Sequence, residues 1–202
     1  MQKEITKQEQ ILDAAMICLA RYGIIKVTLD DIADVLGMKK ASLYYYYKNK
    51  EAIFIDALER EAMSVHQKTR NKFKEGQSAA EKIYILVNTI LKHFRERAQM
   101  LELNAQAMVD NHLIIQKIHH HVREKNIDFL ASIIQEGIDN DEFRPCDPVM
   151  VAEVLRAVMD LRRVEILKIA SASRISEKDF KKLEHDSFFI LDLLINGIIQ
   201  KS

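Results

Sequence analysis

Apolar residues recur along this chain at intervals of three and four, and clean alternation of apolar and polar positions is hard to find, so the pattern predicts helices. The first opens at Thr6, which forms a T-x-x-E capping box with Glu9, and carries Ile11, Leu12, Ala15, Leu19 and Tyr22 before Gly23 ends it. A second opens at Thr28, whose hydroxyl can accept from the amides of the next turn, while Asp30 and Asp31 sit near the positive end of the helix dipole. Leu29, Ile32, Ala33 and Leu36 give it one apolar face. Gly37 supplies the left-handed or sharply turned residue that stops it, and after Met38 and Lys39 a short third helix is predicted over Lys40 to Tyr47. Two short helices joined by a glycine-started turn read as a helix-turn-helix.

Asn49 is a good cap for a fourth helix, with Glu51 in its first turn and Ile53, Phe54, Ala57 and Leu58 at helical spacing. It continues towards Phe73 before Gly76 interrupts, roughly two dozen residues or about 36 Å. Such a helix links the helix-turn-helix mechanically to the rest. Ser78 and Glu81 form another capping box, opening a helix with Ile83, Val87, Ile90, Leu91 and Phe94 on one side. A shorter helical stretch is predicted around Met100 to Met108, and a long amphipathic one from about His112 to Ile138. Asp147-Pro148 pairs a cap with proline at the first helical position, starting a helix that runs to about Ile169. Ser176 and Asp179 cap the last helix, which reaches Ile199.

That last helix bears on assembly. Between Phe188 and Ile199 the only polar or small breaks are Asp192, Asn196 and Gly197, so apolar residues cover most of its circumference. One side can pack inward and the other against a second copy, with Phe188, Leu191, Leu194, Ile195 and Ile198 as candidate dimer contacts; a fully internal helix is the other reading.

Composition supports an all-α chain: five glycines and two prolines in 202 residues are far below average usage. The length suffices for a core without crosslinks, and Cys18 and Cys146 lie in no ligand spacing, as expected of reduced thiols in a cytoplasmic protein. The polar N-terminus and the lack of any long apolar run speak against secretion and membrane insertion. The formal net charge is zero, yet residues 37–50 contain no acid and hold Lys39, Lys40, Lys48 and Lys50. Local sign outweighs the total for phosphate binding.

Four consecutive tyrosines, Tyr44 to Tyr47, span roughly 300° of a helix and cannot all be core. Leu43 and Tyr47 are four apart and share a docking face, whereas Ser42, Tyr45 and Tyr46 lie largely on others. Exposed phenols and ammonium groups donate well to phosphate oxygens and base edges. Here the chain resembles the TetR/AcrR family of transcriptional regulators, whose signature of a T-x-x-x-I-A-x-x-x-G helix, an L-Y-Y-x-F recognition helix and K-x-K-E-x-L/I is matched by Thr28, Ile32, Ala33, Gly37, Leu43, Tyr44, Tyr45, Lys48, Lys50, Glu51 and Ile53. The likeness covers about residues 8–56 and departs at Tyr46 and Tyr47, usually histidine and phenylalanine, and at Lys39 and Ala41, often serine and glycine. It implies phosphate contacts from Thr28, Tyr44 and Lys50, groove-facing positions at Lys39, Lys40, Ala41, Ser42 and Tyr45, and an inducer-binding second half.

The resemblance thus points to a homodimer on double-stranded operator DNA, with residues 1–48 as the DNA-binding domain and 49–202 as a helical domain for effector and dimerisation. A small, largely apolar effector is expected near Phe94, Met108, Phe129 and Met159, since flexible thioethers suit adaptable cavities. A second reading makes the C-terminal half a protein-interaction or architectural module. A third uses His112 and His119 of the His112 to His121 region in a helical metalloprotein, but adjacent helical residues diverge by about 100° and no acid or thiolate stands at ligand spacing. No cofactor motif, catalytic triad order or phosphate loop is present, so no enzyme activity is expected.

Overall fold

The computed structural model describes residues 6–100, 120–170 and 175–200. Among them stand eight helices: α1 (Lys7–Lys26), α2 (Leu29–Val35), α3 (Lys40–Leu43), α4 (Lys50–Arg70), α5 (Ala79–Met100), α6 (His120–Asp139), α7 (Pro148–Ala170) and α8 (Glu177–Ile198). The starts with a capping side chain are built as their residues require, while those expected around Met100 to Met108 and at His112 lie outside the described residues. Thr6, Thr28 and Ser176 form reciprocal capping boxes with Glu9, Asp31 and Asp179. The Asn49 side chain accepts from the Ala52 amide at 2.9 Å, and Asp147 Oδ1 accepts from the amides of Val149 and Met150. Gly23, with φ 75°, breaks α1 one turn before its end, and Gly37, with φ 63°, turns the chain out of α2.

Two elements are shorter than their sequence pattern suggests. Regular helix in α3 ends at Leu43, because the amides of Tyr46 and Tyr47 both converge on the Leu43 carbonyl and close a turn there. α4 ends at Arg70, where the amides of Lys72 and Phe73 tighten onto carbonyls three residues back, leaving 21 residues or about 32 Å.

Two apolar cores result. The first joins Ile11, Ala15 and Cys18 of α1 to Ile32, Leu43, Tyr47 and the start of α4 at Ile53, Phe54 and Ala57. The second lies among α5 to α8 and is built on Ile83, Leu86, Ile134, Phe143, Leu155 and Leu191. α4 runs between them and is held on both sides. Midway along it Arg60 donates to the Glu9 carbonyl at 3.1 Å and pairs with Asp13 at 2.6 Å. Further along, Glu61 accepts from His93 Nε2 and Arg97 Nε of α5, each at 2.8 Å, and His66 meets Asn126 of α6 at 2.7 Å.

Burial of Glu61 works against its ionisation, but hydrogen bonds from His93 and Arg97 and the nearby guanidinium outweigh it and hold the carboxyl below its ordinary value. A depressed carboxyl contributes stability that is complete above its unfolded pKa of about 4.3 and is lost as pH falls through the folded value. Glu61→Gln should therefore melt lower than wild type near neutral pH, with the gap closing as pH falls from about 5 through the depressed folded value. A gap constant across that range, in thermal melts, would count against the pairing.

The loop from Asn140 to Asp147 ties the second core together. Glu142 accepts from the Ala79 amide at 2.6 Å, capping α5, while the Arg144 amide donates to the Ile198 carbonyl at 2.8 Å and the Gln200 amide to the Glu142 carbonyl at 2.9 Å. Phe143 is thereby pressed, fully buried, against Gly137 of α6.

Candidate nucleic-acid interface

The turn between α2 and α3 leaves Leu43 and Tyr47 buried in the first core and turns the rest of the segment outward. Lys39, Lys40, Ala41 and Ser42 are exposed, as are Tyr44 at 54 % and Tyr45 at 85 %. Tyr46 is half-buried and meets Tyr45 edge-on at 5.1 Å between ring centres. Tyr47 replaces a plain aromatic filler because Asp56 stands beside its hydroxyl; burial, then that carboxylate, push its pKa up to about 12. It stays a neutral donor inside the core.

A cleft of about 320 Å³ opens between the starts of α2 and α4, lined by Thr28, Lys40, Tyr44, Lys48, Lys50 and Glu51 among others. The positive end of the α4 dipole faces it, so its chemistry suits a phosphate. Lys50 Nζ donates to the Val27 carbonyl at 2.7 Å, which fixes the start of α4 to the α1–α2 link and keeps the ammonium at the cleft wall. Thr28 is differently employed: its hydroxyl donates to Asp31 Oδ2 at 2.7 Å while accepting from the Asp31 amide, so its hydrogen is committed to starting α2. Lys40 pairs with Asp30 at 2.8 Å, an exposed contact of the weak kind that a phosphate can displace. Lys48, absent from the site expected by resemblance, is exposed on the cleft and in no ion pair among the described residues; the acid-free run around it was the signal.

Residues 11–57 match the family model described as bacterial regulatory proteins, tetR family. The chain also aligns with the fatty acid metabolism regulator protein of Bacillus subtilis, 27 % identical over 148 residues, 71 % of this chain and 74 % of that one. Over residues 11–57 the chain carries the DNA-binding domain of the TetR family of bacterial regulatory proteins. Its relatives are regulators and not enzymes. A transcriptional regulator from Cytophaga hutchinsonii superposes with a TM-score of 0.72 at 27 % identity, over 96 % of this chain and 99 % of that one. The regulator FadR from Bacillus subtilis, solved in complex with stearoyl-CoA, shares the fold with a TM-score of 0.73 at 23 % identity, over 95 % and 100 % of the two chains.

Three of the expected effector residues lie among the described ones. Phe94 stands at the α5–α8 contact, edge-on to Phe180 at 5.9 Å, and Met159 borders the second core. Phe129 belongs to that same core, its ring 4.4 Å from the His66 ring and 5.0 Å from the Arg70 guanidinium. Met108 lies outside the described residues, as do His112 and His119, and no metal-binding group of histidines, cysteines and acids occurs among the described residues. No helix among them is long and apolar enough to cross a membrane.

The last helix requires a correction. Leu191, Ile195 and Ile198 are buried in the chain's own core, and Phe188 and Leu194 are half-buried at its edge. Helix α8 turns that stripe onto its neighbours, so its exposed apolar side chains are Phe189 at 59 % and Leu193 at 60 %. Helix α7, which packs on α8 and is joined to it by the Arg162–Asp186 pair, also exposes Met150, Val154 and Leu161.

Proposed function

We propose that this regulator is a repressor that binds a palindromic operator as a homodimer and releases it when a small effector enters the helical domain. Residues 1–48 serve as the DNA-binding unit and 49–202 as the effector and dimerisation unit, in the cytoplasm. The observation that carries the DNA reading is the outward face of the helix-turn-helix, where Lys39, Lys40, Ala41, Ser42, Tyr44 and Tyr45 are exposed together above a buried Leu43 and Tyr47. Tyr44, Lys48 and Lys50 grip phosphate at the cleft, and Thr28 holds the α2 start that shapes it. Unpartnered apolar stripes on α7 and α8 supply the dimer contact through Phe189 and Leu193, and a two-fold dimer reads two mirrored half-sites. The effector reading is supported by a neighbour of the same fold solved with stearoyl-CoA and by α4, which is fastened to α1 at one end and to α5 and α6 further along.

Footprinting on DNA selected from random sequence should show two mirrored protected halves; full-affinity binding of a monomer to one asymmetric site would refute the reading. Two variants separate the roles of the contacts. Lys48→Ala should weaken binding on every sequence alike and reduce the salt slope by about one unit, as loss of one phosphate contact does. Ser42→Ala should instead alter base preference, by roughly 1–3 kcal/mol at the base pair affected. Selected-sequence profiles of both proteins test this, and an unchanged profile for Ser42→Ala would move that residue to the backbone.

A further inference from the structure

The face of α7 that looks towards α5 and α6 carries more positive charge than it can neutralise. Arg156 and Arg163 share one carboxylate, Asp160, at 3.4 Å and 2.7 Å. Arg123 of α6 adds a third guanidinium to the neighbourhood, itself 3.7 Å from Glu153. Among the described residues, Asp160 is the one carboxylate within ion-pair distance of Arg156, and Arg156 Nη1 is buried with no hydrogen-bond partner. Burial disfavours the charged form of this guanidinium; Asp160 offsets part of that, and the charges of Arg163 and Arg123 add to it. A buried donor left unmatched on a charged group is costly, and a planar guanidinium suits the paired oxygens of a carboxylate or phosphate.

Aromatic side chains continue from the charged stripe, Phe94 half-buried and Phe180 buried beneath it. The Arg163 guanidinium lies over the Phe94 ring at 5.9 Å, and Phe94 meets Phe180 edge-on. Arg95, over the Phe180 ring at 5.8 Å, closes the strip at the far end and is already paired with Glu177 at 2.5 Å. The order along the strip is therefore a cation with one unmatched donor, a shared carboxylate, a second cation and two aromatic rings.

We propose that the effector is an amphipathic anion, its carboxylate or phosphate head bound by Arg156 with Arg163 beside it and its apolar part lying along the half-buried Phe94. This rests on the effector reading above and narrows it from an apolar molecule to an acidic one. Asp160 then serves as the resting partner of both arginines, and Arg163 swings between it and the ligand while remaining over Phe94.

The test uses full-length protein and matched probes: hexanoate, decanoate and palmitate, decyl phosphate, decanol and decylamine, all below micelle-forming concentration. Calorimetry and thermal melts should show an alkanoate or the alkyl phosphate binding and raising Tm, with decanol and decylamine about tenfold or more weaker; whichever head binds tighter identifies the source of the anion. Arg156→Met, which keeps the length of the side chain without its charge, should retain operator binding, keep or raise the Tm of the ligand-free protein, and lose the preference for the anion. A merely structural arginine would instead lower that Tm and leave the anion preference intact. Equal binding of acid and alcohol, absence of binding by every anionic probe, or unchanged anion affinity in Arg156→Met would each overturn the proposal. Operator release is read separately. An anion that binds through Arg156 without loosening DNA upholds the site and removes the effector function from it; release by a neutral probe that ignores Arg156 does the reverse.

Discussion

Leu193→Asp is expected to give a folded monomer that no longer protects a full operator. Leu193 is 60 % exposed on α8, so aspartate there meets water in the isolated chain and folding should proceed. In a two-fold dimer built on this face the residue occurs on both sides, and each copy would bury a carboxylate with no partner at a cost of several kcal/mol. Even about 4 kcal/mol in total raises the dimer dissociation constant roughly a thousandfold, enough to leave monomer at micromolar concentration. The two half-sites are then bound independently and the gain from a linked second contact is lost. Sedimentation equilibrium together with footprinting measures both effects. Ile198→Asp is the internal contrast: that side chain is buried in the chain's own core, so its aspartate should unfold the protein. A dimer for Leu193→Asp at low micromolar concentration would show that the copies meet elsewhere.

Gly137→Ala should destabilise the helical domain by about 2 kcal/mol, although alanine is the better helix former by about 1 kcal/mol. A Cβ at position 137 would lie 2.3 Å and 2.5 Å from two ring carbons of Phe143 and 2.8 Å from the Cβ of Ala79. The ring has little room to move: the Phe143 amide is held at 3.0 Å by the Gly137 carbonyl, and the next amide is held by Ile198. The strain thus reaches α5, α6 and the end of α8 together. For a chain of this size the loss corresponds to a fall in Tm of about 4–8 °C. Adding Phe143→Leu should recover part of it, so the double variant should be more stable than the two single losses sum to. A rise in Tm for Gly137→Ala alone would mean that the close approach is absent in solution.

The helix-turn-helix was almost wholly legible because its determinants are local. A threonine three residues before an acid, a glycine in the left-handed region and an apolar pair four apart each act within one or two turns, so spacing alone places Thr28, Gly37, Leu43 and Tyr47. The same holds for the starts of α4, α7 and α8 at Asn49, Asp147 and Ser176. What spacing does not contain is rotation about a helix axis. In α8 nearly every side chain after Phe188 is apolar, so the pattern is compatible with several inward faces; contact with its neighbours selected Leu191, Ile195 and Ile198 and left Phe189 and Leu193 outside. Partners distant in sequence were hidden for the same reason. Glu61 meets His93 and Arg97, Gly137 yields to Phe143 and Ala79, and Arg163 crosses to Phe94, each decided by how two helices pack. Helix starts and the segment that can face DNA were readable from the residues alone, since those choices are made by hydrogen bonds within a turn, whereas the ends of α1, α3 and α4 were not. Packing settled which apolar stripe remains for a partner and which guanidinium keeps an unmatched donor, because burial and pairing are properties of neighbours that the chain brings together from afar.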